Sequence, residues 1–385
     1  MKKDNKKTKI RILETPIRFH PYIGGVENHV YYLAKQLTKL NYDILVVCAN
    51  ETESKEEEII ENNISVKRLS YKFKVANTNI SSSLPSVLWK TDFDIGHAHM
   101  PTPWTADLTV LIAKLKGKRS VLTIHNDMDK PDVVGKIITW VYLHTFFQLT
   151  LLLTNKIIIV NPEWRTAFKN TRRLLNRFKN KIVTIPNGID TDFFKPSLAK
   201  STGNTILFVS ILDEHHRFKG FEYLLDAMVR IQSEIPNIKL IVVGEGILVS
   251  EYREKAAALG LEKVIEFHGP KTQEELVSYY QNSKVFVLPS IEIEGFGIVL
   301  LEAMASELAV VTTDVAGITK DIEKHRTGYV IPPADSVKLA EAIIRILKNT
   351  DERNSMGQRG RRLMTEQYSW QQIASDVSQV FKDLS

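Results

Sequence analysis

Short apolar runs and longer amphipathic stretches alternate along most of the chain. In the first half the runs rich in β-branched residues read KIRILE, DILVVCA, ISVKRL, DIGHAH, RSVLTIH, KIIIV and KIVTIP. Helical periodicity separates most of them, as in residues 28–40 and 102–115. The second half repeats the alternation with TILFVS, IKLIVVG, VIEFHG, KVFVLP, LAVVTT and TGYVIP, separated by helical stretches such as 220–235 and 336–349. Because strand, helix, strand is the order of parallel doubly wound sheets, the pattern predicts an α/β protein with two Rossmann-like domains.

The alternation is interrupted once, near residues 188–204, where Gly, Pro, Ser and Thr occur without a sustained period. We therefore predict an N-terminal domain over 1–190, a linker over 191–203 and a C-terminal domain over 204–368. Residues 369–385 then form a C-terminal helix that packs back toward the N-terminal domain. Open α/β sheets bind ligands at the carboxyl ends of their strands. Two such sheets facing each other predict an interdomain cleft for a ligand with two parts.

The composition is that of an ordinary globular protein. Of 385 residues, 43% are hydrophobic and 25% charged, and this length favours two domains over one. The only cysteine, Cys48, excludes an internal disulfide, and its apolar neighbours predict a buried thiol. The N-terminus is basic but is not followed by an apolar segment, so no secretory signal is predicted and we expect a cytoplasmic protein.

The charge is unevenly distributed. Residues 1–195 contain 30 Lys and Arg against 19 Asp and Glu, a net charge of +11, whereas the rest of the chain has a net charge of −5. Basic residues cluster at 114–119 and 172–181. Two hypotheses remain open for these clusters: a solvated surface, or peripheral attraction to anionic lipid head groups. Nucleic acid is less favoured as a partner, because the basic clusters contain no interleaved aromatics and no zinc-ligand spacing occurs.

One apolar segment raises the question of a membrane span. Residues 137–155 carry no charged side chain, and as a helix they would nearly cross a bilayer core. They include His144 and Gln148, and a strand-like run follows directly. The segment is therefore predicted to be a helix packed in or on the soluble domain, and its contact with a membrane stays open.

Two glutamates mark the strongest chemical signal. Glu294 and Glu302 are eight residues apart and flank the glycines of EGFG, which open a helix. Free backbone N–H groups at such a helix start suit an anion such as a diphosphate. A carboxylate just before the helix can accept sugar hydroxyls, and one two turns later can accept a ribose diol.

This string resembles the E-x7-E motif of glycosyltransferase family 4, and the resemblance extends from about Ile10 to Tyr368. PYIGGVENHVYYLAKQL is similar to the family's glycine loop, DIGHAH and LTIHND to its histidine-bearing strand ends, and IPNGIDTDFF to its interdomain segment. RFKG, VVGEG and FHGPKTQEELVSYY are similar to its donor domain. The resemblance implies a GT-B fold and a retaining, metal-independent enzyme without cofactor. It would move a hexose-type sugar from a UDP- or GDP-linked donor to a hydroxyl of a glycan or lipid-linked acceptor.

The resemblance also implies a set of site residues. It assigns catalysis to His125, Lys219, Glu294 and, less directly, Arg217. Ile211 or Leu212 stands near the place of the family's arginine, so Arg217 would substitute for it. Donor-binding residues are expected at Gly24, Gly25, Gly244, Gly269, Pro270, Gly295, Phe296, Gly297, Ile298, Val299 and Glu302. Residues of the acceptor side of the cleft are expected at His97, His99, Asn126, Asn187 and Asp190.

Lys219 and Arg217 suit the chemistry because departure of a nucleoside diphosphate requires fixed positive charge when no metal supplies it. No carboxylate is placed as a nucleophile, so we expect a same-face displacement in which the leaving phosphate accepts the acceptor's proton. The histidines are not interpreted as a metal site, because no carboxylate third ligand is evident. The Asp-x-Asp pairs at residues 92–94, 127–129 and 190–192 are likewise not interpreted as magnesium ligands.

Other activities stay open at this point. A GT-B sugar-nucleotide epimerase or a phosphorylase would share the fold. An NAD-dependent oxidoreductase is less favoured, because Gly244 and Gly246 start a dinucleotide fingerprint whose third glycine is replaced by Val249. A non-catalytic binding protein is a further alternative, given the unmatched arginine.

Overall fold

The computed structural model describes residues 9–384 except 23, 76–77, 129–132, 198–202 and 293. It divides into two compact units. The first extends to Gly188 and includes the C-terminal segment from Trp370, and the second comprises Ile189–Ser369. Residues 198–202 of the predicted linker and Asp129 of the second Asp-x-Asp pair lie outside the described residues.

An eight-stranded sheet forms the centre of the first unit, in the order β10-β9-β8-β7-β1-β2-β4-β3. All of its pairings are parallel except that of β3 with β4. A separate hairpin pairs β5 with β6. The strands are β1 (Arg11–Thr15), β2 (Asp43–Ala49), β3 (Glu57–Ile60), β4 (Ile64–Leu69), β5 (Phe73–Val75), β6 (Thr78–Ile80), β7 (Ile95–Met100), β8 (Arg119–Ile124), β9 (Lys156–Ile159) and β10 (Ile182–Thr184).

Helices cover this sheet because its strands are apolar on both faces. They are α1 (Gly25–Lys39), α2 (Leu84–Lys90), α3 (Thr105–Leu115), α4 (Val133–His144), α5 (Phe146–Leu153), α6 (Trp164–Ala167) and α7 (Arg172–Asn176). Cys48 in β2 is a buried free thiol.

The second unit contains a six-stranded, wholly parallel sheet in the order β13-β12-β11-β14-β15-β16. Its strands are β11 (Asn204–Val209), β12 (Ile238–Val243), β13 (Ile265–Phe267), β14 (Val285–Leu288), β15 (Ala309–Thr313) and β16 (Gly328–Ile331). Its helices are α8 (Phe221–Glu234), α9 (Val249–Ala258), α10 (Gln273–Asn282), α11 (Ile298–Ala305), α12 (Thr319–His325), α13 (Ser336–Lys348) and α14 (Thr350–Leu363). The prediction of two Rossmann-like α/β sheets is therefore confirmed.

The last helix, α15 (Trp370–Lys382), belongs to the first unit, where it packs against α1. Its apolar face, with Ile373, Val377 and Phe381, is fully or almost fully buried in the core of that unit. The backbone of Ile189 pairs with Tyr368 and Ser369, so the second unit begins earlier than the predicted linker.

The apolar segment forms two helices, α4 and α5, because Thr145 leaves the helical conformation between them. By length and composition alone, the span Val133–Leu153 is able to cross a membrane, and 22% of its most apolar window is buried. Phe147 and Leu151 of α5 are fully buried against the first sheet, so one face of α5 belongs to the core of the first unit. Most of α4, in contrast, presents apolar side chains to solvent.

Candidate functional site

Each unit places the predicted site residues at the carboxyl edge of its own sheet. In the second unit these residues follow the ends of β11, β12, β13 and β14, where parallel strands leave an edge open to ligands. Gly244 follows β12 and donates its backbone N–H to the carbonyl of Gly269 after β13, at 2.9 Å. The residues of the second unit that we predict to bind the donor therefore lie at one edge of one sheet.

Lys219 and Glu294 form an ion pair at this edge. Both side chains are largely buried, and Ser290 at the end of β14 donates its hydroxyl to the same carboxylate over 3.3 Å. Glu294 is held from a second side, because its backbone N–H donates to the carbonyl of Val315. The pair therefore places one fixed cation and one fixed carboxylate next to the loop that leads into α11.

Gly220 sets the position of Lys219. Its φ of +70° ends the 3₁₀ turn Glu214–Lys219 and begins α8. A Cβ atom there would lie 2.0 Å from the carbonyl oxygen of Pro289, so only glycine fits between the two loops. Gly244 has an equivalent role, with an added Cβ 1.8 Å from the carbonyl oxygen of Ser210. Its φ is +135°. This close packing explains why a glycine occupies the position, so the glycine is not evidence for a dinucleotide site.

No described side chain caps the start of α11. Gly297 is the N-cap residue at a φ of +78°. Phe296 is buried in the core, whereas Ile298 and Val299 at the first turn are only partly covered. An uncapped helix N-terminus beside a buried lysine favours a negatively charged group.

Glu302 lies one turn into α11 and is buried. The hydroxyl of Tyr280 in α10 donates to its carboxylate at 2.7 Å. Burial raises the pKa of Glu302 to about 7, although the Tyr280 hydrogen bond acts in the opposite direction. Glu302 therefore needs a further hydrogen-bond donor or a proton, and a ribose diol would supply donors.

Arg217 is placed differently from the sequence-based expectation. Its guanidinium pairs with Glu214, Glu222 and Glu251, on the turn before α8, on α8 itself and on α9. None of these is the Glu294 carboxylate, and together they leave a net negative charge around Arg217. In this arrangement the guanidinium of Arg217 is held by carboxylates and not beside Glu294, and its catalytic role stays a prediction.

A buried histidine cluster occupies the carboxyl edge of the first sheet. Glu14 in β1 contacts His97 Nδ1 at 2.9 Å and His99 Nε2 at 2.8 Å, both in β7. His99 Nδ1 lies 3.1 Å from Nε2 of His125, which follows β8. His29 of α1 packs edge-on against His125 and shares a hydrogen bond of 2.9 Å with Asn187. The structure thus brings together the three histidines that the sequence selected.

The protonation of this cluster follows from its partners. Burial alone would raise the pKa of the Glu14 carboxyl, but His97 and His99 outweigh it and lower the pKa, so Glu14 is ionised. Burial lowers the pKa of His99 to about 4 and that of His125 well below its usual value, so both rings are neutral near pH 7. His99 then donates from Nε2 to Glu14 and accepts at Nδ1 from the Nε2–H of His125. This leaves His125 Nδ1 without a proton.

The sequence-based argument against a metal site was wrong in one respect. Glu14 supplies the carboxylate that the sequence did not reveal, and ligand atoms of Glu14, His97 and His99 all lie within 4.8 Å of one another. Each of these ligand atoms already takes part in a hydrogen bond within the cluster, and His97 Nε2 also contacts Thr123 Oγ1 at 2.7 Å. Because hydrogen bonds already use the ligand atoms of Glu14, His97 and His99, we do not assign a metal to this cluster. Metal independence stays a prediction.

The remaining predicted residues are distributed over both units. Gly25 begins α1, and an added Cβ there would meet open space. The same is true of Gly269, which precedes Pro270. Gly24 is the N-cap residue of α1 and has no side chain to cap the helix. Asn126 is exposed after β8. Asp190 accepts backbone N–H groups of Asp192 and Phe193 and so stabilises a turn of the second unit.

Sequence reasoning missed four residues of these clusters: Glu14, His29, Tyr280 and Ser290. Glu14 had a detectable signal, because a lone carboxylate within the apolar strand KIRILE must find a partner when the strand is buried. His29, Tyr280 and Ser290 had none, because their partners come from other elements of the fold.

Comparison with known proteins identifies the class. The structure of sucrose-phosphate synthase from Thermosynechococcus elongatus matches over 98% of this chain and 99% of that chain, with a TM-score of 0.74 and 21% identity. Anabaena HepE in complex with UDP matches over 98% of this chain and 100% of that chain, with a TM-score of 0.72 and 18% identity. The two sheets and this likeness define the GT-B fold.

Two family models divide the chain between them. "Glycosyltransferase Family 4" matches residues 23–193, and "Glycosyl transferases group 1" matches residues 190–363. The chain belongs to glycosyltransferase family 4 and is a glycosyltransferase enzyme.

Two relatives of known name match along nearly the whole chain. The phosphatidyl-myo-inositol mannosyltransferase of Mycobacterium leprae is 26% identical over 94% of both chains. A component of the phosphatidylinositol N-acetylglucosaminyltransferase of Arabidopsis thaliana is 26% identical over 97% of this chain and 82% of that protein.

Proposed function

We propose that this enzyme transfers a hexose-type sugar, with retention and without a metal, from a UDP- or GDP-linked donor to a hydroxyl of a lipid-linked acceptor. The observation that carries the proposal is the buried Lys219–Glu294 pair beside the uncapped start of α11. A glycan acceptor without a lipid is the other member of the predicted acceptor class.

In the proposed reaction the second unit holds the donor. Lys219 and the backbone N–H groups at the start of α11 stabilise the charge that develops on the leaving diphosphate. Glu294 accepts hydrogen bonds from the sugar hydroxyls, and Glu302 accepts them from the ribose diol. As the bond from the anomeric carbon to the phosphate oxygen breaks, that oxygen takes the proton of the acceptor hydroxyl, whose oxygen bonds to the same face of the sugar.

The first unit supplies the acceptor side. His125 presents an unprotonated Nδ1 and is held by His99, so it can accept a hydrogen bond from a hydroxyl of the transferred sugar or of the acceptor. A lipid acceptor is supported by the two relatives above, whose names refer to phosphatidylinositol. We therefore place the enzyme on the cytoplasmic face of a membrane, in peripheral contact through its basic first unit.

The first experiment is a thermal-shift screen of UDP, GDP and their sugar conjugates with EDTA present. A ligand at 100 times its Kd stabilises the folded state by about 2.7 kcal/mol, enough to shift the melting temperature measurably. One nucleotide family should stabilise the protein, and phosphatidylinositol should then accept the sugar in a mixed-micelle assay. The anomeric coupling constants of the product report retention. A shift only with NAD, strict dependence on a divalent metal, or an inverted product would contradict the proposal.

A further inference from the structure

A cavity of about 270 Å³ opens at the carboxyl edge of the first sheet. Its wall combines the β5–β6 hairpin, the loop between β7 and α3, and one side of α4. Apolar side chains dominate the lining, including Ile80, Pro103, Trp104, Met128 and Ile138. Asp127, two residues after His125, also lines the cavity, but its carboxylate is occupied by the backbone N–H groups of Asn170 and Thr171. The cavity is therefore suited to a hydrocarbon rather than to a charged group.

The outer side of α4 continues this apolar surface into solvent. Val133, Val134, Ile137 and Trp140 are 59–72% exposed. Ile138, which lines the cavity, is itself 47% exposed. Large apolar side chains that are contiguous on one exposed helix mark a surface that is covered by something else in use.

A basic segment is attached to the wall of the same cavity. Residues 164–181 contain seven Lys and Arg and no Asp or Glu. Thr171 and Asn170 attach this segment to Asp127 in the cavity wall, and the exposed Arg172 and Arg173 follow directly in the chain. An apolar helix face and a basic segment that both belong to the wall of one cavity or are attached to it match the chemistry of an anionic bilayer surface, which offers hydrocarbon below its phosphates.

The helix cannot cross that bilayer and keep this fold. Phe147 and Leu151 of the following helix are fully buried in the sheet unit. Lys181 donates to the carbonyl oxygens of Leu151 and Leu152 at the end of α5, which ties this end to the sheet. Because α5 is fixed to the sheet, α4 can contact a membrane only by lying in the plane of the membrane surface.

We propose that α4 and residues 164–181 dock on an anionic membrane, and that the adjacent cavity takes an acyl chain of the lipid acceptor. This rests on the proposed function for the identity of the acceptor. Docking would present the cavity at the depth where acyl chains begin, so a lipid could enter without leaving the bilayer fully. The cavity then selects for diacyl acceptors over their water-soluble head groups.

The cavity is tested with two tryptophan substitutions of equal size. Ile138→Trp fills the cavity, whereas Ile59→Trp places the same ring at an exposed site of β3. Ile138→Trp should raise the KM for dihexadecanoyl phosphatidylinositol by about tenfold or more and leave that for the dibutanoyl lipid unchanged. Ile59→Trp should alter neither. Equal KM values for the long-chain lipid in both variants would refute the acyl site.

Docking is tested by co-sedimentation with vesicles of phosphatidylcholine, with and without about one third phosphatidylglycerol. The wild-type protein should bind only the anionic vesicles, and binding should weaken with salt. Val134→Glu combined with Ile137→Glu should abolish binding, while the control Ile247→Glu, at an exposed site of the second unit, should not. Loss of a dimer instead, seen by analytical ultracentrifugation with vesicle binding unchanged, would identify a second copy as the occupant and overturn the proposal.

These outcomes are separable from failure of the proposed function. Nucleotide-induced thermal shifts and slow hydrolysis of the donor do not require the lipid surface. If they persist while vesicle binding and chain-length selectivity are absent, only the docking proposal fails. If no nucleotide binds, the proposed transfer fails whatever the vesicles show.

Discussion

In both candidate sites, the position of individual side chains depends on partners of opposite charge or on hydrogen-bond partners. Lys219 and Glu294 are such a pair, and removal of either member leaves the other largely buried and without its opposite charge. Arg217, two residues before Lys219, is tied instead to three carboxylates at the surface. The two cations therefore provide a matched comparison.

We expect Lys219→Ala to reduce the rate of sugar transfer by about a hundredfold or more, because fixed positive charge at the leaving phosphate is lost. Arg217→Ala should change the rate by about twofold at most, since exposed ion pairs contribute little. Steady-state kinetics with a saturating acceptor measure both effects. A loss with Arg217→Ala as large as that with Lys219→Ala would show that Arg217 reaches the phosphate after all.

The second prediction at this scale concerns Glu14. Glu14→Gln replaces an acceptor-only group by an amide that must present an N–H to His97 or His99, which disturbs the tautomers of the cluster. We expect transfer to fall by about tenfold or more while nucleotide-induced thermal shifts stay at the wild-type size. Glu14→Asp, which keeps the carboxylate, should recover part of the rate.

Nitrogen NMR of the histidine rings provides the decisive control for Glu14. In the wild-type protein His125 should show a protonated Nε2 and an unprotonated Nδ1. If Glu14→Gln lowers activity without altering this pattern, Glu14 acts through folding rather than through the position of the proton.

At the scale of elements, loops that pack closely against each other hold the donor-side residues. Gly220 joins the 3₁₀ turn to α8 and touches the loop after β14, so it fixes the distance between Lys219 and the loop that carries Glu294. Gly260 has the same φ of +70° but open space where its Cβ would be. The two glycines therefore separate backbone strain from steric overlap.

We expect Gly260→Ala to lower the free energy of unfolding by about 1 kcal/mol, from the positive φ alone. Gly220→Ala should lower it by about 3 kcal/mol, because the Pro289 carbonyl must also move. Urea unfolding followed by circular dichroism measures the difference. Equal values for the two variants would mean that the loop after β14 yields freely and does not hold the lysine in place.

At the scale of the whole molecule, buried titratable groups make stability depend on pH. Burial lowers the pKa of His29 to about 3 and that of His99 to about 4, and it lowers the pKa of His125 well below the usual 6.5. Between pH 6.5 and 4 the unfolded chain binds protons at these rings and the folded chain does not. Stability is therefore lost as the pH falls through this window.

Glu302 opposes this trend. Burial raises its pKa to about 7, so between pH 4.5 and 7 the folded protein holds a proton that the unfolded chain lacks. One group acts against three, and we expect the melting temperature to fall on acidification from pH 6.5 to 4. His125→Asn should flatten this dependence, as measured by differential scanning calorimetry. A melting temperature that rises on acidification would contradict the neutral state of the histidines.

Local sequence was sufficient for the alternation of strands and helices in both sheets, for the buried Cys48 and for the glycosyltransferase family, because each depends on periodicity or on residues close together in the chain. The short strands β3, β5 and β6 were not predicted. Glu294 and Glu302 were found for the same reason, because they are only eight positions apart in one loop and the helix that follows it. The roles of the site residues stay predictions until the substitutions above are made. The sequence also indicated that residues 137–155 pack on a soluble domain, although it did not reveal the break at Thr145.

Only the tertiary structure decided which distant groups meet. Glu14 joins His97 across 83 residues, and Arg217 meets Glu251 across 34, and no local pattern encodes either contact. The exposure of α4 beside an apolar cavity is likewise a consequence of packing. Periodicity determines which face of an element is apolar, but the protonation of a histidine or the partner of an arginine depends on side chains that only the folded sheets bring within hydrogen-bonding distance.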